Sequence, residues 1–402
     1  MSPAGDGLLI SLSFWAAFVA YLPLERGLEG WLPQGLRYAL CSLASAGFLW
    51  YFTSIGSLHL AALYLALAAI YLGARVALAG QRRPAGALLL FPGAAVALWA
   101  LGKIGSSLAL DGLAMLFFVG ASFVLVKIWT FCKDLRDGRI ERPELFAFVA
   151  YCSFFPCFLS GPMHYYGEFR QTFEGRQPLD GATFVDALFR IFHGLVKVLI
   201  LAVALRPFSL EVLRAGGFSE VGPLELVARS LVYSLVIYLD FSGYSDVAIA
   251  AGSLLGVRVP ENFRMPYLAR DLREFWQRWH ITFTRFLTQY LFIPTARLLT
   301  LRARGASQLV TSAIAYLATF LFCGFWHGST ANFLVWGFYH GAGMVIVDQV
   351  RRRRLAAGRR PSSAPLHPMA VWAARGVGIA ATFLFVSLGW IFFVLPMGFW
   401  SR

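Results

Sequence analysis

Charge is what this sequence has least of, negative charge above all. Its 402 residues hold 21 Asp and Glu against 35 Lys and Arg, and charged residues make up only 14% of the chain. Soluble domains carry about 25% charge, so an ordinary water-facing globular surface is excluded. Cysteine is sparse as well. Cys41, Cys132, Cys152, Cys157 and Cys323 show no metal-ligand spacing, and no two of them form a C-x-x-C pair. That leaves five small apolar residues rather than a zinc ribbon or a disulfide framework. H-E-x-x-H, G-x-x-x-x-G-K-[ST] and G-x-S-x-G are all missing, which removes zincin, P-loop and α/β-hydrolase chemistry. The internal repeats that many transporters carry are not visible. No connection is long enough to hold a separate soluble domain.

What remains is apolar: 58% hydrophobic, 16% aromatic, with a mean hydropathy of +0.64. Runs long enough to span a bilayer fall at 7–22, 37–53, 57–79, 86–101, 108–131, 145–162, 185–205, 224–250, 307–323, 332–349 and 371–396. The first lacks a basic n-region and a cleavage site, so it reads as a retained span. The expected fold is all-α, a polytopic transmembrane bundle of about 11 spans with re-entrant or interfacial helices around a central cavity. Residues 1–402 read as one membrane-embedded domain, with N-terminal helices to 131, a catalytic core at 145–349 and a closing helix at 371–396. The net charge of +14 sits in short loops, which fits the positive-inside pattern better than nucleic-acid binding. An outside N-terminus puts Arg82, Arg83 and the loop from Lys133 to Arg142 on the cytoplasmic side. The basic loops at 258–278, 297–304 and 351–360 also belong there, and strict alternation fails to deliver the first of them. The conflict disappears if two Gly/Pro-broken segments, 154–178 and the run from His280 to Pro294, enter and leave on one face.

Ionisable groups inside such segments are costly, by roughly 2.5 kcal/mol or more for a full charge, so each is a candidate for function. His327 lies at the centre of the apolar stretch 319–341, between Trp326 and Gly328, with Asn332 just behind. It is either a reactive group or a packing histidine bonded to a neighbouring helix. Asp240 and Asp246 differ by about 600° of helical turn, so they have different partners. They read first as wall-holding residues. Residues 259–294 carry an aromatic stripe (Phe275, Trp276, Trp279, Phe283, Phe286) opposite Arg270, Arg273, Arg278 and Arg285, with Asp271 and Glu274 as a capping-box start. His280, 47 residues before His327, reads by itself as an ordinary interface residue, and His340 as a packing or cap residue. A histidine pair without carboxylate or thiolate companions is a weak metal signal, and no metal is expected. Two histidines with hydroxyl and amide neighbours fit proton transfer to or from an acceptor hydroxyl.

Taken in order, several pieces resemble the membrane-bound O-acyltransferase family, in its bacterial cell-envelope branch. They are Phe154-Phe155-Pro156 with Gly161-Pro162; Asp240-Phe241-Ser242-Gly243-Tyr244-Ser245-Asp246; Pro260-Glu261-Asn262-Phe263; and Glu274-Phe275-Trp276-Gln277-Arg278-Trp279-His280-Ile281. Trp326-His327-Gly328, Trp336-Gly337, His340-Gly341 and Gly389-Trp390-Ile391-Phe392-Phe393 complete the set. The resemblance implies acyl transfer, acetyl in the first instance, from a thioester to a hydroxyl of an envelope or exported polysaccharide. It makes His327 the catalytic histidine and His280 the second recurrent polar position. The Asp240–Asp246 and Pro260–Phe263 pieces look alginate-acetyltransferase-like, whereas the short stretch after Phe393 is closer to teichoic-acid D-alanyltransferases. D-alanyl or longer-chain transfer is therefore the alternative, and a proton-coupled transporter is the rival from another class.

On this reading His327, neutral in a low-dielectric cavity, acts as general base. His280 binds or orients donor or acceptor, Arg278 faces an anionic donor group and Asn332 is an oxyanion or orienting donor. Trp279, Trp326 and Asp246 complete the candidate substrate-binding set. No tightly bound cofactor is expected; acyl-CoA or an acyl-carrier thioester is the co-substrate. Expected partners are membrane lipids, that donor, and a polysaccharide acceptor met directly or through a partner envelope protein, with no nucleic acid. The expected location is the bacterial cytoplasmic (inner) membrane.

Overall fold

The computed structural model describes residues 11–396 except 29, 54, 80–86, 108–119, 177, 217–220, 303–306 and 358–367. All regular structure among them is helical. Among the described residues four helices are long and apolar enough to cross a membrane: Ser57–Ala77, Gly181–Phe208, Gln308–His327 and Trp372–Val394. These answer the expected runs at 57–79, 185–205, 307–323 and 371–396. Helices cover most of the other runs, but length and apolarity alone do not mark them as spans. Part of the run at 108–131 lies outside the described residues. The chain divides into two compact units, Met1–Val196 with Gly243–Glu261, and Lys197–Ser242 with Asn262–Arg402.

The first unit contains α1 (Leu12–Gly27), α2 (Gln34–Phe52), α3 (Ser57–Ala79), α4 (Ala87–Ser107), α5 (Ala121–Arg136), α6 (Leu145–Ser153), α7 (Tyr166–Glu174) and α8 (Gly181–Leu195). The run at 145–162 is not one helix, contrary to its reading as a span. α6 stops at Ser153, a 3-10 turn follows at Phe155–Cys157, and Gly161-Pro162 is a cis peptide. Pro156 cannot continue a helix, since it lacks an N–H and its ring collides with the preceding turn. The segment then doubles back: the Tyr166 hydroxyl accepts from the Glu144 N–H at 3.0 Å, and Arg170 reaches the Arg142 carbonyl at 2.7 Å. Backbone groups freed at such a break need partners in the interior. Buried Lys127 donates to the Tyr151 carbonyl at 2.9 Å, Ser45 Oγ accepts from the Phe155 N–H at 3.3 Å, and the Tyr244 hydroxyl accepts from the Ser160 N–H at 3.3 Å.

The second unit contains α9 (Glu211–Gly216), α11 (Leu272–Arg278), α12 (Ile281–Phe286), α13 (Ile293–Arg302), α14 (Gln308–His327), α15 (Ala331–Ala356) and α16 (Pro368–Val394). The long α10 (Pro223–Leu254) contributes its residues up to Ser242 here and the rest to the first unit. The expected break at Pro294 is not where the chain breaks. A π-helical stretch, Leu287–Phe292, widens the helix just before the proline and joins α12 to α13. The true break is at His280, whose φ of +44° ends one helix and starts the next. α14 and α15 form a close hairpin. A Cβ on Gly324 would run into the Phe333 carbonyl, and one on Gly337 into the Phe320 carbonyl, so the absence of side chains there lets the two backbones touch.

Candidate active site

His280 sits in a short pairing between two extended pieces of the second unit. The Arg264 N–H reaches the Arg278 carbonyl at 3.0 Å, and the Ile281 N–H reaches the Asn262 carbonyl at 2.9 Å. Between these bonds lies Asn262, fully buried, whose Oδ1 gathers three groups. They are His280 Nδ1 at 3.1 Å, Thr282 Oγ1 at 2.9 Å and the Thr282 N–H at 3.3 Å. The backbone donor fixes which end of the amide is oxygen. An oxygen only accepts, so His280 carries its proton on Nδ1 and keeps the Nε2 lone pair. Burial lowers the pKa of this ring, and the edge of Phe241 and the face of Phe283 pack on it at 4.7 and 5.1 Å. A non-glycine residue in the left-handed region costs roughly 1–2 kcal/mol, so the packing and hydrogen bonds hold His280 in a strained position.

His327 is the last residue of α14. Its ring is exposed on the chain itself, which corrects the expectation of a buried base. The reason is local: the helix ends at Gly328, and the turn to α15 leaves one side of the imidazole uncovered. The other sides meet an aromatic wall of Phe393 at 5.1 Å, Trp336 at 5.3 Å and Phe283 at 6.5 Å. Phe283 therefore touches both histidines, and no bond between them is needed to place them at one site. Trp326 is buried and packs on Phe283 at 5.2 Å.

The other sequence candidates fall at varying distances from this wall. Asn332 lies in the first turn of α15: the Thr330 hydroxyl donates to its Oδ1 at 2.5 Å, and its Nδ2 reaches the Phe393 carbonyl at 3.5 Å. Trp279 is buried between Phe263 at 5.1 Å and Trp390 at 5.7 Å. Arg278 pairs with Glu274 at 2.5 Å and reaches the Met265 carbonyl at 3.4 Å. Asp271 caps its helix by accepting from the Glu274 N–H, but the Glu274 carboxylate turns to the Arg270 N–H rather than closing the capping box. Asp246 lies in the first unit, bound with Glu261 to Arg190 at 3.0 and 2.6 Å. Asp240, in the second, pairs with Arg206 at 2.6 Å. The two aspartates do have different partners, and those partners are arginines.

A cavity of about 140 Å³ lies in the second unit, lined among others by Arg273, Trp276, Gln277, Thr288, Tyr316 and Phe320. Two of its walls lead inward, because Trp276 and Phe320 both pack on His340, at 5.3 and 6.3 Å. His340 in turn meets Trp336 at 4.8 Å, the ring that backs His327. A continuous row of rings thus runs from this mostly apolar cavity to the exposed histidine. Sequence reasoning missed Asn262 and Phe283 as site residues and Lys127 as a structural cation. Asn262 was visible within the Pro260–Phe263 piece, as an amide that no helical pattern required. For Lys127 the only signal was a lone cation in an apolar run.

Comparison with known proteins places residues 97–388 within the model of the membrane-bound O-acyltransferase family. A teichoic acid D-alanyltransferase from Streptococcus thermophilus is 29% identical over 286 residues, 70% of this chain and 69% of that protein. A Pseudomonas fluorescens protein named as a probable alginate O-acetylase is 29% identical over 382 residues, 93% of this chain and 70% of its own length. A peptidoglycan O-acetyltransferase from Helicobacter pylori is 32% identical over 251 residues, 61% of this chain but only 43% of that protein.

Proposed function

The chain belongs to the membrane-bound O-acyltransferase family, and from that premise we propose that it transfers an acetyl group from a thioester to a hydroxyl of an envelope or exported polysaccharide. The observation that carries the reading is His327. It is a histidine at a helix end, exposed on one side and walled on the other by rings that lead toward a cavity with Arg273 in its lining. In the reaction His327 takes the proton of the acceptor hydroxyl as its oxygen attacks the thioester carbonyl carbon. The C–S bond then breaks, and the imidazolium returns the proton to the leaving thiolate. The donor, acyl-CoA or an acyl-carrier thioester, enters by the cavity beside Arg273, where a cation suits its phosphates. Membership of the family sets the transporter reading aside.

His280 works one step back on this account. Held by Asn262 through Nδ1, it orients donor or acceptor from beside Phe283. Arg278, Trp279, Trp326 and Asn332 shape the walls, and Asp246 braces the scaffold. The topology that goes with this reading is a multi-pass protein of the bacterial inner membrane with about eleven crossings. The segments 154–178 and His280–Pro294 then each enter and leave the membrane on one face. Lipids and an envelope protein that presents the glycan would be its partners.

D-alanyl transfer is the second reading, favoured by the similarity to a protein named for that activity. Purified protein in detergent, given labelled acetyl-CoA or D-alanyl carrier with polysaccharide or teichoic acid, decides between them. Acetyl transfer to glycan that disappears in His327→Ala is the expected result. Turnover of D-alanine alone would replace the reading, and no turnover with any donor would refute it.

A further inference from the structure

A second cavity, of about 250 Å³, lies within the first unit among α3, α4 and α5. Small residues make the room for it: Ala62 and Ala66 on α3, Ala95 on α4 and Ala121 on α5 all lie in its wall. On α3 the lining runs from His59 through these alanines to Ile70 at steps of three and four, which is one helical face. At 1.5 Å per residue that face is about 16 Å long, close to half of the roughly 30 Å hydrocarbon core of a bilayer. The cavity is not sealed. Leu98 belongs to its wall and is 52% exposed, and Leu101 and Ile104, further along the same helix, are exposed too. An apolar opening on an apolar surface is entered from lipid rather than from water.

One end of this groove is basic. Among the described residues of the lining, His59, in the first turn of α3, is the one ionisable side chain. Lys103, 7% exposed, holds its ammonium 4.9 Å from the centre of the Trp99 ring, which is itself part of the wall. These two basic groups share an end. The chain from Ala79 to Ala87 reaches at most about 29 Å, less than the length of α4, about 31 Å. α4 therefore turns back along α3, and its last turns, with Lys103, come level with the start of α3. The shape calls for a single apolar chain and not a helix. A helix is about 10–12 Å across, so 16 Å of one takes more than about 1,000 Å³ and does not fit.

We propose that this groove binds an anionic phospholipid, with one acyl chain lying along α3 between Ile70 and His59 and the phosphate at His59 and Lys103. Bulk lipid tails are as apolar as the groove, so the tail gains only close contact there. Preference for one lipid over another then rests on the headgroup, where the lysine attracts negative charge. The site uses no residue of the acyl-transfer reading and stands independently of it.

The test uses the full chain in detergent, adds phosphatidylglycerol or phosphatidylcholine of matched acyl chains, and follows the thermal midpoint against lipid concentration. Phosphatidylglycerol should raise the midpoint, half-saturating at a concentration about fivefold or more below that of phosphatidylcholine. Lys103→Gln should remove most of that preference, since about fivefold is what one lysine supplies, and should leave the response to phosphatidylcholine in place. Ala66→Phe, which fills the groove, should abolish the response to both lipids. Ala95→Leu narrows the groove from another helix and covers the case in which Ala66→Phe does not fold. Equal half-saturation by the two lipids in the unsubstituted protein overturns the proposal, as does no response to either. A preference unchanged in Lys103→Gln overturns the placing of the headgroup, and a full response in a folded groove-filled variant overturns the placing of the chain. No acyl donor enters the measurement, so its failure is distinct from failure of the acyl-transfer reading.

Discussion

Two histidines of the second unit touch the same phenylalanine and live in opposite surroundings. His280 is buried, strained in its backbone, and fixed by an amide that dictates its tautomer. His327 lies at the open end of a helix with rings on one side only. Burial and hydrogen bonding make a group predictable but hard to reach; a helix end makes it reachable. The contrast supports the proposed division, with proton transfer at His327 and orientation at His280.

The largest effect that would test this contrast is His327→Ala. Removal of a general base costs about 10²–10⁴-fold in turnover. An exposed side chain contributes little to stability, typically within about 0.5 kcal/mol. Labelled acyl transfer should collapse while the thermal midpoint barely moves. Retention of a tenth of the rate would place the base elsewhere, with His280 the first alternative.

Asn262→Ala attacks the other histidine through its anchor. It leaves the Thr282 hydroxyl, the Thr282 N–H and His280 Nδ1 without their shared acceptor, at a cost of about 1–3 kcal/mol for a buried group so stranded. Stability and activity should fall together, unlike in His327→Ala. A midpoint unchanged from wild type would mean that the Asn262 oxygen is not what holds the His280 loop. A comparable loss is expected for Gly324→Ala, one turn before His327, where the added methyl meets the Phe333 carbonyl. Overpacking of this kind costs roughly 1–3 kcal/mol, less if the hairpin can open slightly. An increase in stability there would show that the hairpin has room to spare.

How much of this could be read beforehand depended on what each residue does. The hydrophobic runs and the ordered motif pieces revealed an all-helical membrane protein and its family, because burial in lipid constrains long stretches at once. The two broken segments were expected from Pro156, Gly161 and Pro294, and here the sequence misled in part. A proline can be absorbed by a π-helical turn, as at Leu287–Phe292, whereas a histidine with a positive φ breaks the chain without any proline or glycine to announce it. The exposure of His327 was not legible either. Apolar neighbours in sequence suggest burial, but exposure is decided by where the helix ends. Asp246 meets an arginine 56 positions away in sequence. Pairings over such separations have no local signature.

The smallest effect concerns acid. Burial lowers the His280 pKa, while the unfolded chain gives histidine its ordinary value of about 6.5. Between those two values the unfolded state binds more protons than the folded one. Stability therefore rises with pH through that window and levels off above about 6.5. His280→Gln removes one group that takes up a proton only on unfolding, so its stability should fall less steeply as the pH is lowered from about 6.5. The slope difference is bounded by one proton, about 1.4 kcal/mol per pH unit. Thermal midpoints of both proteins in one detergent, measured across that window, provide the comparison. Parallel curves would mean that His280 charges without unfolding the loop. The ring would then be open to water, like His327, and the division of labour between the two histidines would have to be redrawn.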